Sequence, residues 1–68
     1  MKVGDLIQTM ANSNQNVVMV EPVDRIVCGA KPGNFVVVSF DDIKKVEEVF
    51  NLYVLEIKAY NDRIWIKV

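Results

Sequence analysis

The last 16 residues of the chain alternate between apolar and polar side chains, the period-two pattern typical of β-strands. Residues 53–60 and 63–68 carry this pattern on either side of Asn61-Asp62, two residue types that tolerate the backbone of a tight turn. If Tyr60 faces Arg63, the alternation separates an apolar face from a polar and aromatic face. The expected pairs are Ala59–Ile64, Ile57–Ile66 and Leu55–Val68 on the first face, and Tyr60–Arg63, Lys58–Trp65 and Glu56–Lys67 on the second. A slip of one residue would exchange the faces, so the pattern predicts a hairpin in this single register.

Two other stretches carry apolar residues at the spacing of an amphipathic helix. The first stripe consists of Val3, Leu6, Ile7 and Met10. Its helix is expected to end at the polar segment of residues 12–16, because asparagine favours caps and turns. The second stripe consists of Ile43, Val46, Val49 and Phe50. Ser39 is the expected N-cap of this second helix, with Asp42 three residues further on as a weak capping box.

Three apolar segments between the two helices predict strands, at residues 17–20, 25–29 and 35–38. The second and third are separated by the segment of residues 31–34, Lys-Pro-Gly-Asn. Proline presets one dihedral angle and glycine supplies a positive φ, so this segment predicts a type II turn. The run of residues 35–38 is apolar at every position, as expected of a central strand covered on both faces or of a strand at a dimer contact.

The element order is therefore helix, three strands, helix and a two-strand hairpin, which indicates a two-layer α+β fold. We expect residues 1–68 to form a single domain with a mainly antiparallel sheet of about five strands, against which both helices pack. Alternation alone does not decide whether both helices cover the same face of that sheet. The predicted core consists of Leu6, Ile7, Met10, Val18, Val27, Val37, Ile43, Val46, Phe50, Leu55, Ile57, Ile64 and Ile66.

Composition and charge restrict the functions that this chain can carry. Hydrophobic residues make up 51% of it and charged residues 25%, which is typical of a folded globular protein. The formal net charge of −1 provides no field strong enough to attract nucleic acid. No run approaches the roughly twenty apolar residues of a membrane span, and no apolar signal core follows Met1. We therefore expect a cytoplasmic protein that binds no membrane.

The side chains needed for common catalytic and metal sites are missing. The chain contains no histidine and one cysteine, so a single chain cannot assemble a Cys/His zinc site or a histidine-dependent catalytic set. We expect no enzyme activity, no cofactor and no metal. Cys28 lies in an apolar run and is interpreted as an inert, buried small residue, the alternative being a reactive thiol.

The polar face of the predicted hairpin is the one feature that suggests binding. It carries Lys58, Tyr60, Arg63, Trp65 and Lys67. One interpretation is that the aromatic rings only shield the sheet. A second is a protein-binding face, since Trp, Tyr and Arg are enriched at interface hot spots. A third is a platform for single-stranded nucleic acid, with bases stacked on the rings and phosphates on the cations.

Three segments of the chain carry a resemblance to a known class of proteins: residues 1–7 (Met-Lys-Val-Gly-Asp-Leu-Ile), residues 17–20 and the closing Ile-Trp-Ile-Lys-Val of residues 64–68. In these segments the chain resembles short phage- and prophage-encoded proteins of unknown function. Such proteins often begin with Val-x-Glu/Asp-Leu-Ile and finish on an Ile-x-Ile strand, whereas residues 31–38 depart from their usual polarity. The resemblance implies a small intracellular accessory or host-interacting protein of mobile-element origin, and it assigns no functional residue.

Together these features predict a non-catalytic protein-interaction module, an adaptor or inhibitor that acts as a homo-oligomer, such as a homodimer, or on a host protein. Three observations favour an interaction module: the sequence lacks a catalytic set, its length is near the minimum for a folded domain, and its apolar β segments can pair at a sheet edge. Binding of single-stranded nucleic acid is the alternative.

Overall fold

The computed structural model describes residues 1–10 and 15–68, so the predicted helix end at residues 12–16 lies partly outside the described residues. The elements are α1 (Val3–Met10), β1 (Val17–Glu21), β2 (Val36–Ser39), α2 (Ile43–Val49), β3 (Glu56–Tyr60) and β4 (Arg63–Lys67). The strands form a four-stranded sheet in the order β2-β1-β4-β3. β1 runs parallel to β4, whereas the other neighbouring strands are antiparallel. The α+β class is thus confirmed, but the sheet is mixed and has four strands in the described residues, fewer than predicted.

The missing strand is the predicted one at residues 25–29, which form a loop with a tight turn. Val27 and Ala30 exchange two backbone hydrogen bonds of 3.0 and 2.8 Å. Between them, Cys28 (φ 49°) and Gly29 (φ 83°) both adopt left-handed backbone conformations, as in a type I′ turn. Val27 is 1% exposed and reaches the core, whereas Ile26 is 63% exposed. The apolar run therefore places the side chain of Val27 in the core but does not form a strand of the sheet.

The register of the C-terminal hairpin is confirmed from Tyr60–Arg63 to Glu56–Lys67. Asn61 (φ 53°) and Asp62 (φ 60°) take the two left-handed positions of the connecting turn, as their residue types allow. The ladder ends one pair earlier than predicted. Leu55 donates its backbone N–H to the carbonyl of Lys67 over 2.8 Å and does not pair with Val68. The N–H of Val68 instead donates to the carbonyl of Glu21 over 3.1 Å, which extends the contact between β4 and β1.

Both helices lie on the same face of the sheet, because their buried side chains share one core with residues from β1, β2 and β4. The buried residues are Val3, Ile7, Met10, Val18, Val20, Val27, Val38, Val49, Ile66 and Val68. Gly4 of α1 allows the helices to approach closely, since a Cβ there would lie 2.4 Å from the Phe50 ring. None of the helices in the described ranges is long and apolar enough to cross a lipid bilayer.

The predicted N-cap of α2 is wrong by three residues. The helix begins after Asp42, whose carboxylate accepts a hydrogen bond of 3.3 Å from the backbone N–H of Lys45. Ser39 instead forms part of the turn before the helix, where its hydroxyl oxygen accepts from the N–H of Asp41 over 3.3 Å. A carboxylate at the N-cap satisfies a free N–H and also suits the positive end of the helix dipole.

The predicted core is confirmed for five buried residues, Ile7, Met10, Val18, Val27 and Ile66. Leu6, Val46 and Ile64 pack against it while partly buried, and Phe50 is half-buried beside Gly4. Four predicted core residues are exposed by 42–68%, namely Val37, Ile43, Leu55 and Ile57.

Two of these errors have simple physical causes. Side chains alternate along β2, and its partners in β1 place Val38, not Val37, toward the helices. Val38 is fully buried as a result. Ile57 does point to the helix side, opposite Ile66, but all five residues of β3 are exposed. The helical layer therefore leaves β3 uncovered.

Candidate functional site

The five candidate residues of the hairpin lie together on the face of the sheet that no helix covers. Lys58 is the partner of Trp65, and Tyr60 is the partner of Arg63. Their neighbours Ile64 and Ile66 point to the helices, so alternation directs the candidate residues to the opposite side. We call this surface the open face. By register and ring contact it comprises Met19, Glu21, Phe35, Val37, Glu56, Lys58, Tyr60, Arg63, Trp65 and Lys67.

Sequence reasoning missed the apolar half of the open face. Met19 is the ladder partner of both Val37 and Trp65, and it joins the two halves across β1. Phe35 is 50% exposed and Val37 is 42% exposed. The signal that could have found them is the run of residues 35–38, which is apolar at every position. Its interpretation as a central strand is wrong, because β2 is an edge strand; its role at a dimer contact stays a prediction.

Trp65 is the packed centre of the open face. The Phe35 ring lies 4.9 Å from the Trp65 ring at an interplanar angle of 60°, and the Tyr60 ring lies 6.5 Å away at 71°. Such tilted and edge-on arrangements are the favoured ones for aromatic pairs. The indole N–H of Trp65 is buried and has no acceptor among the described residues. An unpaired buried donor costs about 1–3 kcal/mol, so the ring contacts must offset that cost.

The charged residues of the open face are divided into paired and unpaired groups. Lys67 forms an ion pair of 3.1 Å with Glu56, and this hydrogen-bonded carboxylate raises the pKa of the Lys67 ammonium. Glu21 lies beside Lys67 in the parallel ladder. Lys58 and Arg63 form no ion pair with any residue in the described part of the chain. Two cations are therefore available to a partner, one on each strand of the hairpin.

A small groove lies within the open face. Glu21, Lys58, Tyr60 and Trp65 line about 210 Å³. This volume is below the roughly 300–1,000 Å³ of sites that enclose a drug-sized ligand. The groove can accept one side chain of a binding partner, with two aromatic walls and a charge of each sign at its rim.

A larger concavity lies elsewhere, beside Cys28. It measures about 370 Å³ and is lined by Cys28, Gly29, Ala30, Asn34, Phe35 and Val36. The Cys28 thiol is its one ionisable side chain, so it lacks the second group that would activate a nucleophile. No cluster of metal-ligating side chains is found in residues 1–10 and 15–68.

Cys28 itself is half-buried in a turn rather than buried in a strand as predicted. Its backbone N–H donates to the Glu48 carboxylate, and its Sγ lies 3.8 Å from the carbonyl oxygen of Lys45. Burial, followed by the negative charge of Glu48 and a hydrogen bond to it, raises the pKa of the Cys28 thiol. A raised pKa leaves less thiolate at neutral pH, and the thiolate is the reactive form.

The open face thus offers exposed rings, aliphatic side chains and two cations, Lys58 and Arg63, that form no ion pair within the described residues. Its carboxylates, Glu21 and Glu56, lie in a row with Lys67 on an exposed sheet surface. No family model, curated protein or solved structure matches this chain.

Proposed function

We propose that the protein is a non-catalytic protein-interaction module that binds a partner protein through the open face. The observation that carries the proposal is the exposure of apolar and aromatic side chains around Trp65. Phe35 is 50% exposed, Val37 42% and Tyr60 61%, all on one face of the sheet. Contiguous apolar surface of this kind is typical of interaction sites on small soluble proteins.

The distribution of residue types on the open face also resembles that of a protein interface. Trp65 and Tyr60 belong to the types that dominate binding energy; Trp65 lies at the centre of the surface, and Tyr60 contacts it from the edge strand. Lys58 and Arg63 lie beside them, where charged groups of an interface rim are usually found. A partner with an apolar side chain for the groove and a carboxylate for Lys58 or Arg63 would match both parts.

The resemblance of the chain ends to phage and prophage proteins supports the biological part of the proposal. The protein would act in the cytoplasm as a phage-derived accessory, adaptor or inhibitor, on a host protein or as a homo-oligomer. The absence of histidine from the sequence, and of an activating side chain among the described residues that line the concavity beside Cys28, supports a role without catalysis.

Copurification with open-face variants tests this function. Phe35→Ala and Tyr60→Ala each remove exposed ring surface, and Ile26→Ala is the matched control because Ile26 is 63% exposed outside the open face. We expect a partner protein to be recovered with the wild type and with Ile26→Ala, and to be lost with the other two variants. Circular dichroism would show that all variants are folded. Recovery of the same proteins with every variant, or of none with the wild type, would contradict the proposal.

Binding of single-stranded nucleic acid is the second candidate, and one observation favours it. The exposed ring of Tyr60 lies between the unpaired cations Lys58 and Arg63, so a base could stack there while its phosphates meet the cations. The packing of Phe35 on Trp65 argues against it, because it occupies surface of the larger ring. The net charge of −1 also gives little attraction for a polyanion.

Fluorescence of Trp65, the only tryptophan, separates the two functions. In a titration with mixed-sequence single strands at low salt, nucleic-acid binding requires a change that weakens steeply as salt rises. Tyr60→Ala would then reduce affinity several-fold, since stacking of one base contributes about 1–3 kcal/mol. We expect a flat titration. Binding of a partner protein should depend far less on salt, and oligonucleotide should not compete with it.

A further inference from the structure

The two edges of the sheet differ in how their helix-side residues are covered. At the β2 edge, Val38 is fully buried and Val36 packs against the core. At the β3 edge, Ile57 is 45% exposed and Ala59 is exposed as well, and Leu55, just before the strand, is 64% exposed. Of the two edges, only the β3 edge therefore leaves apolar side chains uncovered on the helix side of the sheet. An exposed strand of this kind is a template for pairing with another chain.

The backbone of β3 has hydrogen-bonding groups available on its outer edge. In a hairpin with a two-residue turn, the pair next to the turn, Tyr60–Arg63, is the hydrogen-bonded type, and the types alternate along the ladder. Lys58 and Glu56 therefore direct their backbone groups toward β4. Ile57 and Ala59 direct theirs outward, on the same residues that expose apolar side chains.

We propose that two copies of the chain pair antiparallel along β3, with Ile57 of each copy opposite Ile57 of the other. The two four-stranded sheets would join into one continuous sheet. In this register the uncovered Ile57 side chains of the two copies meet on the helix side, and Ala59 of each copy lies near the segment that precedes β3 in the other. The interface uses the strand edge together with two residues of the open face, Glu56 and Lys58, whereas Phe35, Val37 and Trp65 take no part in it.

Charge complementarity on the open side selects this register. With Ile57 at the two-fold axis, Glu56 lies opposite Lys58 of the second copy, and the symmetry forms that pair twice. The new pair continues an existing row across the sheet, in which Glu21, Lys67 and Glu56 already alternate in sign. Lys58 has no ion-pair partner in the described part of the single chain, and the second copy provides one.

Neighbouring registers are less favourable. Shifting the axis to Lys58 would oppose two lysines directly, and like charges at directly opposite positions destabilise a sheet. Shifting it to Ala59 would place Lys58 opposite Tyr60 and so remove the pairing of Lys58 with Glu56. Only the axis at Ile57 combines apolar pairs on one side with opposite charges on the other.

Charge-reversal variants test the pairing by sedimentation equilibrium. Lys58→Glu places one glutamate opposite Glu56 of the other copy at each of the two symmetric positions, and Glu56→Lys places one lysine opposite Lys58 in the same way. We expect a wild-type dimer whose dissociation constant rises roughly ten-fold or more in each variant. An equimolar mixture of the two variants should form a heterodimer, because each then meets the opposite charge. Lys44→Glu and Glu47→Lys on the exposed side of α2 are the matched charge controls and should dimerise like the wild type.

Disulfide trapping tests the register separately, in a Cys28→Ser background. Directly opposite residues of a hydrogen-bonded pair have Cα atoms about 5.5 Å apart, within the range of roughly 4.4–6.8 Å that a disulfide requires. Ile57→Cys should therefore form a covalent dimer on oxidation, and Ala59→Cys should not. The proposal is overturned by a wild-type monomer at all concentrations, by a dimer that both charge reversals leave intact, or by trapping through Ala59→Cys alone. Loss of open-face binding in Phe35→Ala with dimerisation retained would leave it standing.

Discussion

Ile57 and Ile66 are the same residue type, lie opposite each other in one ladder and point to the same side of the sheet, yet Ile66 is fully buried and Ile57 is 45% exposed. The difference comes from the helical layer, whose buried side chains meet residues of β1, β2 and β4 but leave β3 exposed. The apolar–polar alternation of a strand shows which side chains share a face. It does not show whether that face is covered, because coverage depends on elements distant in the sequence.

Truncation of these two isoleucines should give the largest contrast in stability. Ile66→Ala removes buried methyl groups and leaves a cavity, so the free energy of unfolding should fall by about 2–5 kcal/mol. Ile57→Ala, in a dilute monomeric sample, should lower it by less than about 1 kcal/mol, since its side chain is largely in water. Urea denaturation followed by Trp65 fluorescence measures both values. Equal losses of unfolding free energy at low protein concentration would show that β3 is covered in solution, and would contradict the difference in coverage between Ile57 and Ile66.

A side chain added at Gly4, where the helices meet, should give the next largest loss of stability. A Cβ at Gly4 would lie 2.4–2.7 Å from three atoms of the Phe50 ring, so Gly4→Ala should cost about 1–3 kcal/mol of unfolding free energy despite the better helix propensity of alanine. Gln8→Ala on the exposed side of α1 is the matched control and should be nearly neutral. Phe50→Leu should recover part of the loss in the double variant, measured as a thermodynamic cycle. Additive effects of the two changes would mean that the helices do not meet at Gly4.

The parts of the fold that the sequence predicts correctly are those fixed by short-range patterns. The hairpin register follows from period-two alternation on both sides of Asn61-Asp62, whose backbones adopt the required positive φ. The stripe of α1 follows from the 3.6-residue period. The type I′ turn at Cys28 could not be predicted, because cysteine is not a usual residue at positive φ. The prediction of Ser39 as the N-cap of α2 is wrong because Ser39 and Asp42 are both good capping residues, and residue type alone does not choose between them.

The candidate site likewise has a part that the sequence predicts and a part that it does not. Trp65 and Tyr60 could be placed on one face from the hairpin alone. Phe35 and Met19 join them only because β1 lies between β2 and β4, an order that no local pattern specifies. The parallel pairing of β1 with β4 also leaves β3 at the edge, and this makes Ile57 a surface residue.

The smallest expected effect on stability concerns the thiol of Cys28, a polar group on the side of the sheet that the helices cover. The pKa of this thiol is raised above its ordinary value of 9.0, first by burial and then by the negative charge of Glu48 and a hydrogen bond to it. Lys45 opposes the rise and Asp42 adds to it. The folded state therefore holds the thiol proton more tightly than the unfolded state does. This contribution to stability is fully present below pH 9.0 and is lost as pH rises through the folded-state pKa.

Urea denaturation above and below pH 9.0 should reveal this loss as a difference between the wild type and Cys28→Ser, because lysines and tyrosines titrate in both proteins. The free energy of unfolding should fall more steeply with pH in the wild type. Reaction of the native thiol with a disulfide reagent at mildly alkaline pH should be slow, and Glu48→Gln should accelerate it by removing the negative charge that disfavours the thiolate. Glu47→Gln, one position away on the exposed surface of α2, is the control and should leave the rate unchanged. A wild-type thiol that reacts as fast as an unfolded one would show that the turn does not hold Cys28 against α2.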